Sequence, residues 1–166
     1  MPHKTFGGKG NVPKSSNFGW RTHPISGKKT FHKGVDFHAK VGTPIYATGK
    51  GKVIYAGYHQ NRNGTHGYGN RIEVRYDNGY TATYNHLSDG NVRVGDTVEE
   101  GDLLGKTGGA KGQPGSGAST GAHLHMELYP NSDEHLSTMH PDRAPVDPME
   151  HMDSFENGQY TDYFYY

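Results

Sequence analysis

Twelve histidines in 166 residues are the abnormal feature of this chain, and three places hold them at spacings that suit chemistry. The first is AHLHMELY, residues 122–129. Successive side chains of a strand point to opposite faces. Leu124, Met126 and Leu128 therefore turn to a core, and His123, His125, Glu127 and Tyr129 share a polar face. The second is His32-Lys-Gly-Val-Asp36. If 32–38 is extended, His32, Gly34, Asp36 and His38 share a face, and Gly34 leaves room for an ion. Imidazole and carboxylate supply the N and O donors that zinc accepts at about 2.0–2.2 Å. The third is Tyr84-Asn85-His86-Leu87-Ser88, where a strand ends. A catalytic zinc needs three protein ligands and one open position. His32, Asp36 and one of His123 and His125 make that set; the other strand histidine and His86 remain for proton transfer or oxyanion stabilisation. Each pattern alone reads as well as a solvated strand face, a turn cap or a surface histidine. With no cysteine and no HExxH pattern, the combination is the one plausible zinc set in the sequence.

The elements that must bring these groups together are strands. The runs Gly34–His38, Pro44–Thr48, Lys52–Tyr58, Asn70–Tyr76 and Tyr80–His86 are rich in β-branched and aromatic residues and bounded by Gly, Asn or Asp. Asp77-Asn78-Gly79 signals a hairpin, because Asn-Gly accepts positive φ angles. Residues 92–104 read as two very short strands around Gly95-Asp96. Residues 108–121 hold six glycines and no large apolar side chain, and read as a mobile loop. Residues 130–149 form a Pro-rich meander. The expected fold is mainly β, with antiparallel sheets, little helix, and an active-site groove walled by loops 17–31, 59–69, 108–121 and 130–145. The organisation expected is a polar lead-in (1–16), one domain (17–149), and an acidic, aromatic tail (150–166) dispensable for catalysis.

Composition narrows the function classes. Seventeen basic residues balance seventeen acidic ones, which argues against nucleic acid as a partner. No apolar run is long enough to cross a membrane, and MPHKTFGGKG lacks the hydrophobic stretch of a signal peptide. Gly101–Thr107 falls one residue short of a phosphate loop and precedes no helix.

The motifs HKGVDF, YNHLS and GAHLHMELY together resemble the lysostaphin- and LytM-like zinc metalloendopeptidases, the cell-wall peptidoglycan endopeptidases. The framing text FGWRTHPISGKKTFHKGVDF, GTPIYATGKGKVIYAG and VRVGDTVEEGDLLGKTG extends the resemblance from about Asn17 to Pro148. It implies that His32, Asp36 and His125 bind one zinc ion per chain, and that His86 and His123 are the catalytic pair. It implies zinc-activated water hydrolysing a stem-peptide or cross-link bond of peptidoglycan. The alternative is a non-catalytic, zinc-stabilised wall-binding or regulatory module of the same fold. Some members carry a tyrosine shortly before the first zinc ligand; this chain has none there, and Arg21 or His23 stands in that place as a substrate-binding residue. The implied site of action is the bacterial cell wall, for a protein that is secreted, virion-associated or released at lysis. A phage lytic or tail-associated enzyme, part of a larger phage tail or lysin polypeptide, fits the lack of an export signal. The remaining histidines divide into groove candidates (His38, His59, His66) and surface ones (His135, His140, His151). Glu127 reads as a surface residue or as a support for the site.

Overall fold

Alternation of apolar and polar side chains over short, glycine-bounded runs produces strands, and twelve are present in the computed structural model, which describes residues 4–8, 13–23, 25–60, 66–117, 119 and 121–157. They are β1 (Lys14–Ser16), β2 (Gly19–Thr22), β3 (Lys29–His32), β4 (Val35–Phe37), β5 (Pro44–Tyr46), β6 (Gly51–Gln60), β7 (His66–Tyr76), β8 (Tyr80–Asn85), β9 (Leu87–Gly90), β10 (Thr97–Val98), β11 (Leu103–Thr107) and β12 (Leu124–Pro130). A single 3-10 turn (Lys4–Phe6) and one short helix, α1 (Met152–Asn157), complete the described elements. The protein is mainly β, as its composition and turn chemistry predict.

A seven-stranded antiparallel sheet runs in the order β1-β4-β12-β8-β7-β6-β10. A three-stranded sheet, β5-β11-β9, and the hairpin β2-β3 flank it. On β12, Leu124, Met126 and Leu128 are fully buried on one face. They join Val35, Val53, Val74, Ala82 and Tyr84 of the large sheet, and Ile45, Leu87 and Leu104 of the smaller one, in one apolar cluster. The opposite face of the large sheet is also buried, but it is polar: Arg71, Glu73, Thr81, Thr83, Asn85 and Glu127 are at most 1% exposed. The meander after β12 covers this face. Asn131 accepts a hydrogen bond from the Thr81 hydroxyl (2.6 Å), the Ser132 carbonyl one from Arg75 (3.0 Å), and the Thr138 hydroxyl one from Arg71 (2.9 Å). Arg143 ties the cover down by donating to the carbonyls of His135 (2.7 Å) and Pro130 (3.0 Å).

Four sequence expectations change. Residues 32–38 are not one strand: His32 ends β3 and Asp36 sits in β4, in a different sheet. Gly34, between them, does not make room for an ion. A Cβ there would lie 2.1 Å from the Met126 carbonyl oxygen, so the glycine lets β12 approach. At the β7–β8 hairpin only Gly79 takes positive φ (97°), and its amide reaches the Tyr76 carbonyl. That is a tight turn followed by a left-handed residue, rather than two left-handed residues. The glycine-rich segment after β11 is tied down: Gly115 accepts from the Asn70 amide (2.9 Å), and Ser116 is 2% exposed. Its small residues serve close backbone packing.

Described segments on either side of residues 17–149 also pack on the domain. Phe6 packs edge-on against Phe37, and β1 pairs with β4. Phe155, read from sequence as part of an appended tail, is fully buried against Tyr76 and Tyr80. Glu156 accepts from the Lys4 and Thr5 amides and the Thr5 hydroxyl. Residues 158–166 lie outside the described residues. Removing a buried phenylalanine costs about 3–5 kcal/mol, so Phe155→Ala should lower the melting temperature by roughly 10 °C in a domain of this size. A scan showing the parent melting temperature in that variant would restore the reading of residues 152–157 as an appendage.

Candidate metal centre and its groove

Sheet register assembles the donors. β12 lies between β4 and β8, and the pairing sets His125 opposite Asp36 on one side and Asn85 on the other. Cross-strand partners share a face, so His125 Nδ1 reaches Asp36 Oδ1 at 2.8 Å. β3 delivers His32 from the adjoining hairpin, its Nε2 3.2 Å from His125 Nδ1 and 3.4 Å from Asp36 Oδ1. A tetrahedral zinc with bonds of about 2.0–2.2 Å spaces its ligand atoms about 3.3–3.6 Å apart. Of the three observed separations, 3.4 Å falls in that range and 3.2 and 2.8 Å are shorter, and His32, Asp36 and His125 form a group able to hold a metal ion. Two nitrogens and one carboxylate oxygen suit zinc.

Acceptors on the far side of each ring set the tautomers. A carbonyl oxygen only accepts, so the ring nitrogen facing it must carry the proton. His32 Nδ1 donates to the Asn17 carbonyl at 2.6 Å, leaving Nε2 for the centre. His125 Nε2 faces Glu127 Oε2 at 2.9 Å, leaving Nδ1. His86 Nδ1 donates to the Ser116 carbonyl at 2.7 Å, and His123 Nδ1 to the Gly121 carbonyl at 2.7 Å. Each of these two therefore offers a bare Nε2, and that of His123 lies 3.6 Å from Asp36 Oδ1. The His86 and His123 rings are 5.1 Å apart, and His86 is 6.0 Å from His125. His86 has φ of 60°, the one positive value at a non-glycine among the described residues. Such strain costs on the order of 1–3 kcal/mol and collects at functional sites. Gly108 permits it, since a Cβ there would lie 2.6 Å from the His86 carbonyl oxygen.

Behind His125 the polar face is charged and buried. Glu127 is fully buried; its Oε1 accepts from the Tyr129 hydroxyl (2.7 Å) and lies 3.7 Å from Arg71. Arg71 also donates to Glu73 (3.0 Å), Asn85 (2.7 Å) and Thr138. Its guanidinium lies over the Tyr68 ring, which in turn stacks on His125. Burial opposes the charge on Glu127, but the His125 hydrogen bond and Arg71 prevail and hold its carboxyl at about 2. Burial likewise opposes the charge on His125; the Asp36 and Glu127 carboxylates overcome it and push the metal-free imidazole up to about 9. Asp36 is held below the usual carboxylate range, against burial, by His125 and His32. Burial, and then His123 and His125, pushes His86 down to about 4. That shift favours the neutral ring at neutral pH.

A cavity of about 700 Å³ opens onto these groups, with Arg21, Lys33, His59, Tyr68 and Arg143 in its walls. His32, Asp36, His86, His123 and His125 all line it. Arg21 reaches the groove. His23 does not line it, because its Nδ1 accepts the amides of Ile25 (3.2 Å) and Ser26 (3.1 Å). His38 is exposed and stands outside the cavity lining, whereas His59 and His140 line it; the side chain of His66 lies outside the described residues. His140 stacks on His135 in the covering loop. Sequence reasoning passed over Tyr68, Arg71 and Thr138. The usable signal was the alternation Arg71, Glu73, Arg75 within a strand, since charges on a strand that must be internal have to meet partners.

The fold and site define an all-β protein with a His/Asp/His donor centre in an open groove, two further histidines beside it. The chain belongs to Peptidase family M23, which matches residues 30–138. It is 39% identical over 118 residues to the peptidoglycan DD-endopeptidase ShyC of Vibrio cholerae, covering 70% of this chain and 24% of that protein. Over 116 residues it is 35% identical to lysostaphin of Staphylococcus simulans, covering 69% and 21%. The chain thus spans about a quarter of the curated relatives it matches. Among solved structures, the lysostaphin catalytic domain from Staphylococcus simulans superposes with a TM-score of 0.64 at 32% identity, covering 86% of this chain and 93% of that one. A zinc-containing peptidase from Vibrio cholerae gives 0.66 at 29%, covering 89% and 39%.

The histidine protonation predicts a pH signature. The folded pKa of His125 is raised above the ordinary value of 6.5, so its contribution to metal-free stability is fully present below about pH 6.5 and disappears as pH rises to about 9. A metal ion competes with that proton, so affinity should climb through the same window. Calorimetric scans in chelator and in excess zinc should show a zinc-induced rise in melting temperature that grows from pH 6.5 to 9. A rise that is constant across the window would contradict the assignment of His125 Nδ1 as a donor.

Proposed function

We propose that this chain is a zinc-dependent endopeptidase domain that hydrolyses peptide bonds of bacterial cell-wall peptidoglycan. The observation that carries the reading is the meeting of His32 Nε2, Asp36 Oδ1 and His125 Nδ1 beside the bare Nε2 atoms of His86 and His123 in one groove. One relative is named a peptidoglycan DD-endopeptidase, which supports the reading, and the proposed catalytic domain is residues 17–149 together with the packed segments before and after it. Those three residues would hold one zinc ion per chain, which would supply Lewis acidity to lower the pKa of water toward 7 and polarise a carbonyl. His86, kept neutral by burial, takes up a proton from the attacking water at Nε2. His123 faces the same space, where it hydrogen-bonds the tetrahedral oxyanion or passes a proton to the leaving amine. The open groove admits an extended peptide. Arg21 and Lys33 bring exposed positive charge to its wall, and Asp36 is the sole acid among the residues lining it. That balance favours the carboxylate-bearing stem peptides or their cross-links over glycine bridges. The site of action is the cell wall, reached by secretion, on a virion or at lysis, with a phage tail or lysin polypeptide as one setting.

Because His86 occupies a left-handed conformation, asparagine, which tolerates it, is a cleaner replacement than alanine. His86→Asn should retain zinc and fold while the rate of wall hydrolysis falls about 10²–10⁴-fold, the range for general acid–base groups. Turnover near that of the parent would remove His86 from the chemistry. Mass analysis of fragments from a diaminopimelate-type wall and a pentaglycine-bridged wall, digested side by side, reads the bond. Stem-peptide termini from the first are expected; glycine amino termini alone, from the second, would overturn the substrate preference. A protein that binds wall material and releases nothing from either would be the non-catalytic module.

A further inference from the structure

Glu127 lies beyond the three donors and does not line the groove, yet it is a fully buried carboxylate with three side-chain partners. It is fully buried, one oxygen bonded to His125 Nε2 at 2.9 Å and the other to the Tyr129 hydroxyl at 2.7 Å. Arg71 stands 3.7 Å from the second oxygen. The register explains how the cation reaches it. Thr83 of β8 pairs with Glu127 on one side and Glu73 on the other, so two carboxylates face each other across one small residue. Arg71 spans that gap, anchored by Glu73, Asn85 and Thr138. Every donor around Glu127 is itself fixed, so the carboxylate cannot turn away from His125.

From this geometry we infer that Glu127 is the positioning residue of the metal centre: it holds the His125 proton on Nε2 and so dedicates Nδ1, the atom facing Asp36 and His32, to the ion. The inference rests on the zinc reading above. An imidazole has two nitrogens of nearly equal basicity, and the outer partner decides which one ligates. His32 and the two groove histidines have backbone carbonyls in this role. His125 has a carboxylate, a stronger acceptor that also raises the basicity of the ligating nitrogen. Arg71, Tyr129 and Tyr68 neutralise and orient Glu127, which lets a charge remain there away from water.

The test reads zinc affinity and the His125 ring directly. In chelator competition, Glu127→Gln should bind zinc about 10–100-fold more weakly than the parent. In ¹H–¹⁵N spectra of the zinc-loaded parent, the His125 Nε2 proton should exchange slowly with water, and in Glu127→Gln that protection should fall. Tyr129→Phe removes only the hydroxyl, so it should fold, keep the Nε2 signal and weaken zinc binding less than Glu127→Gln does. Phe155→Ala, destabilised far from the site, should bind zinc within about twofold of the parent. Zinc affinity unchanged in Glu127→Gln, or lowered equally in Phe155→Ala, would overturn the positioning role and leave only a buried ion pair. A parent without measurable zinc affinity would instead sink the metal reading itself.

Discussion

Everything around the groove answers to one problem, which is how to keep charges on a sheet face closed off from bulk solvent. Asp36, Arg71, Glu73 and Glu127 share that face with His125, and all but Asp36 are essentially inaccessible. Breaking one partner of a buried pair typically costs 3–5 kcal/mol, because the other charge is stranded. The solution is a closed chain of contacts: Asp36 to His125, His125 to Glu127, Glu127 to Arg71, Arg71 to Glu73 and Asn85. The loop from Asn131 to Arg143 supplies the last acceptors and seals the face. What looks in sequence like an irregular Pro-rich meander is therefore a polar cover matched to the sheet.

Division of labour between strands and loops follows. The proposed metal donors come from the paired strands β4 and β12 and from the end of β3, where register controls distance. The orientation of every ring comes from backbone carbonyls in loops, or from Glu127. A carbonyl is a good device for this, since it accepts whatever the pH and brings no charge of its own. It needs the loop backbone to come close, and the glycines after β11 allow that. Gly69, Gly115 and Gly117 meet at distances where a Cβ would touch backbone. Ser116 and Gly121, the two acceptors for His86 and His123, belong to the segment so packed.

Much of this was legible in the sequence. Period-two alternation in AHLHMELY separates core from site side chains, and His32, Asp36, His86, His123 and His125 converge in the structure as their motifs suggest. Three things were not legible, each for a physical reason. Strand order is non-local: Arg71 and Glu127 meet because β7 and β12 both flank β8, which no window of a few residues reveals. Acceptors that are backbone carbonyls carry no side-chain signature, so Asn17, Ser116 and Gly121 are silent in the sequence. His23 looks like a groove cation by position, but a local option captures it, its ring accepting two amides of its own turn. Phe155 was hidden by its neighbours, since an aromatic among acidic and tyrosine residues has no period to mark its buried face.

The two histidines proposed for chemistry differ in a way that separates their tasks. His86 is 9% exposed, strained at φ 60°, and hydrogen-bonded both through its amide to Tyr68 and through its ring to Ser116. Its position is set by β7, β8 and the glycine-rich loop together, so it cannot follow a moving substrate. A rigid neutral imidazole suits a group that must meet one proton at one place, and preorganisation of that kind lowers the reorganisation needed at the moment of reaction. His123 stands one residue before β12 begins, bridged to Gly108 and more open to the groove. Its ring Nδ1 donates to the Gly121 carbonyl at 2.7 Å, with the Ser119 hydroxyl 3.3 Å away. For the proposed mechanism, the contrast in anchoring makes His86 the fixed proton acceptor and leaves His123 the more solvent-open of the two.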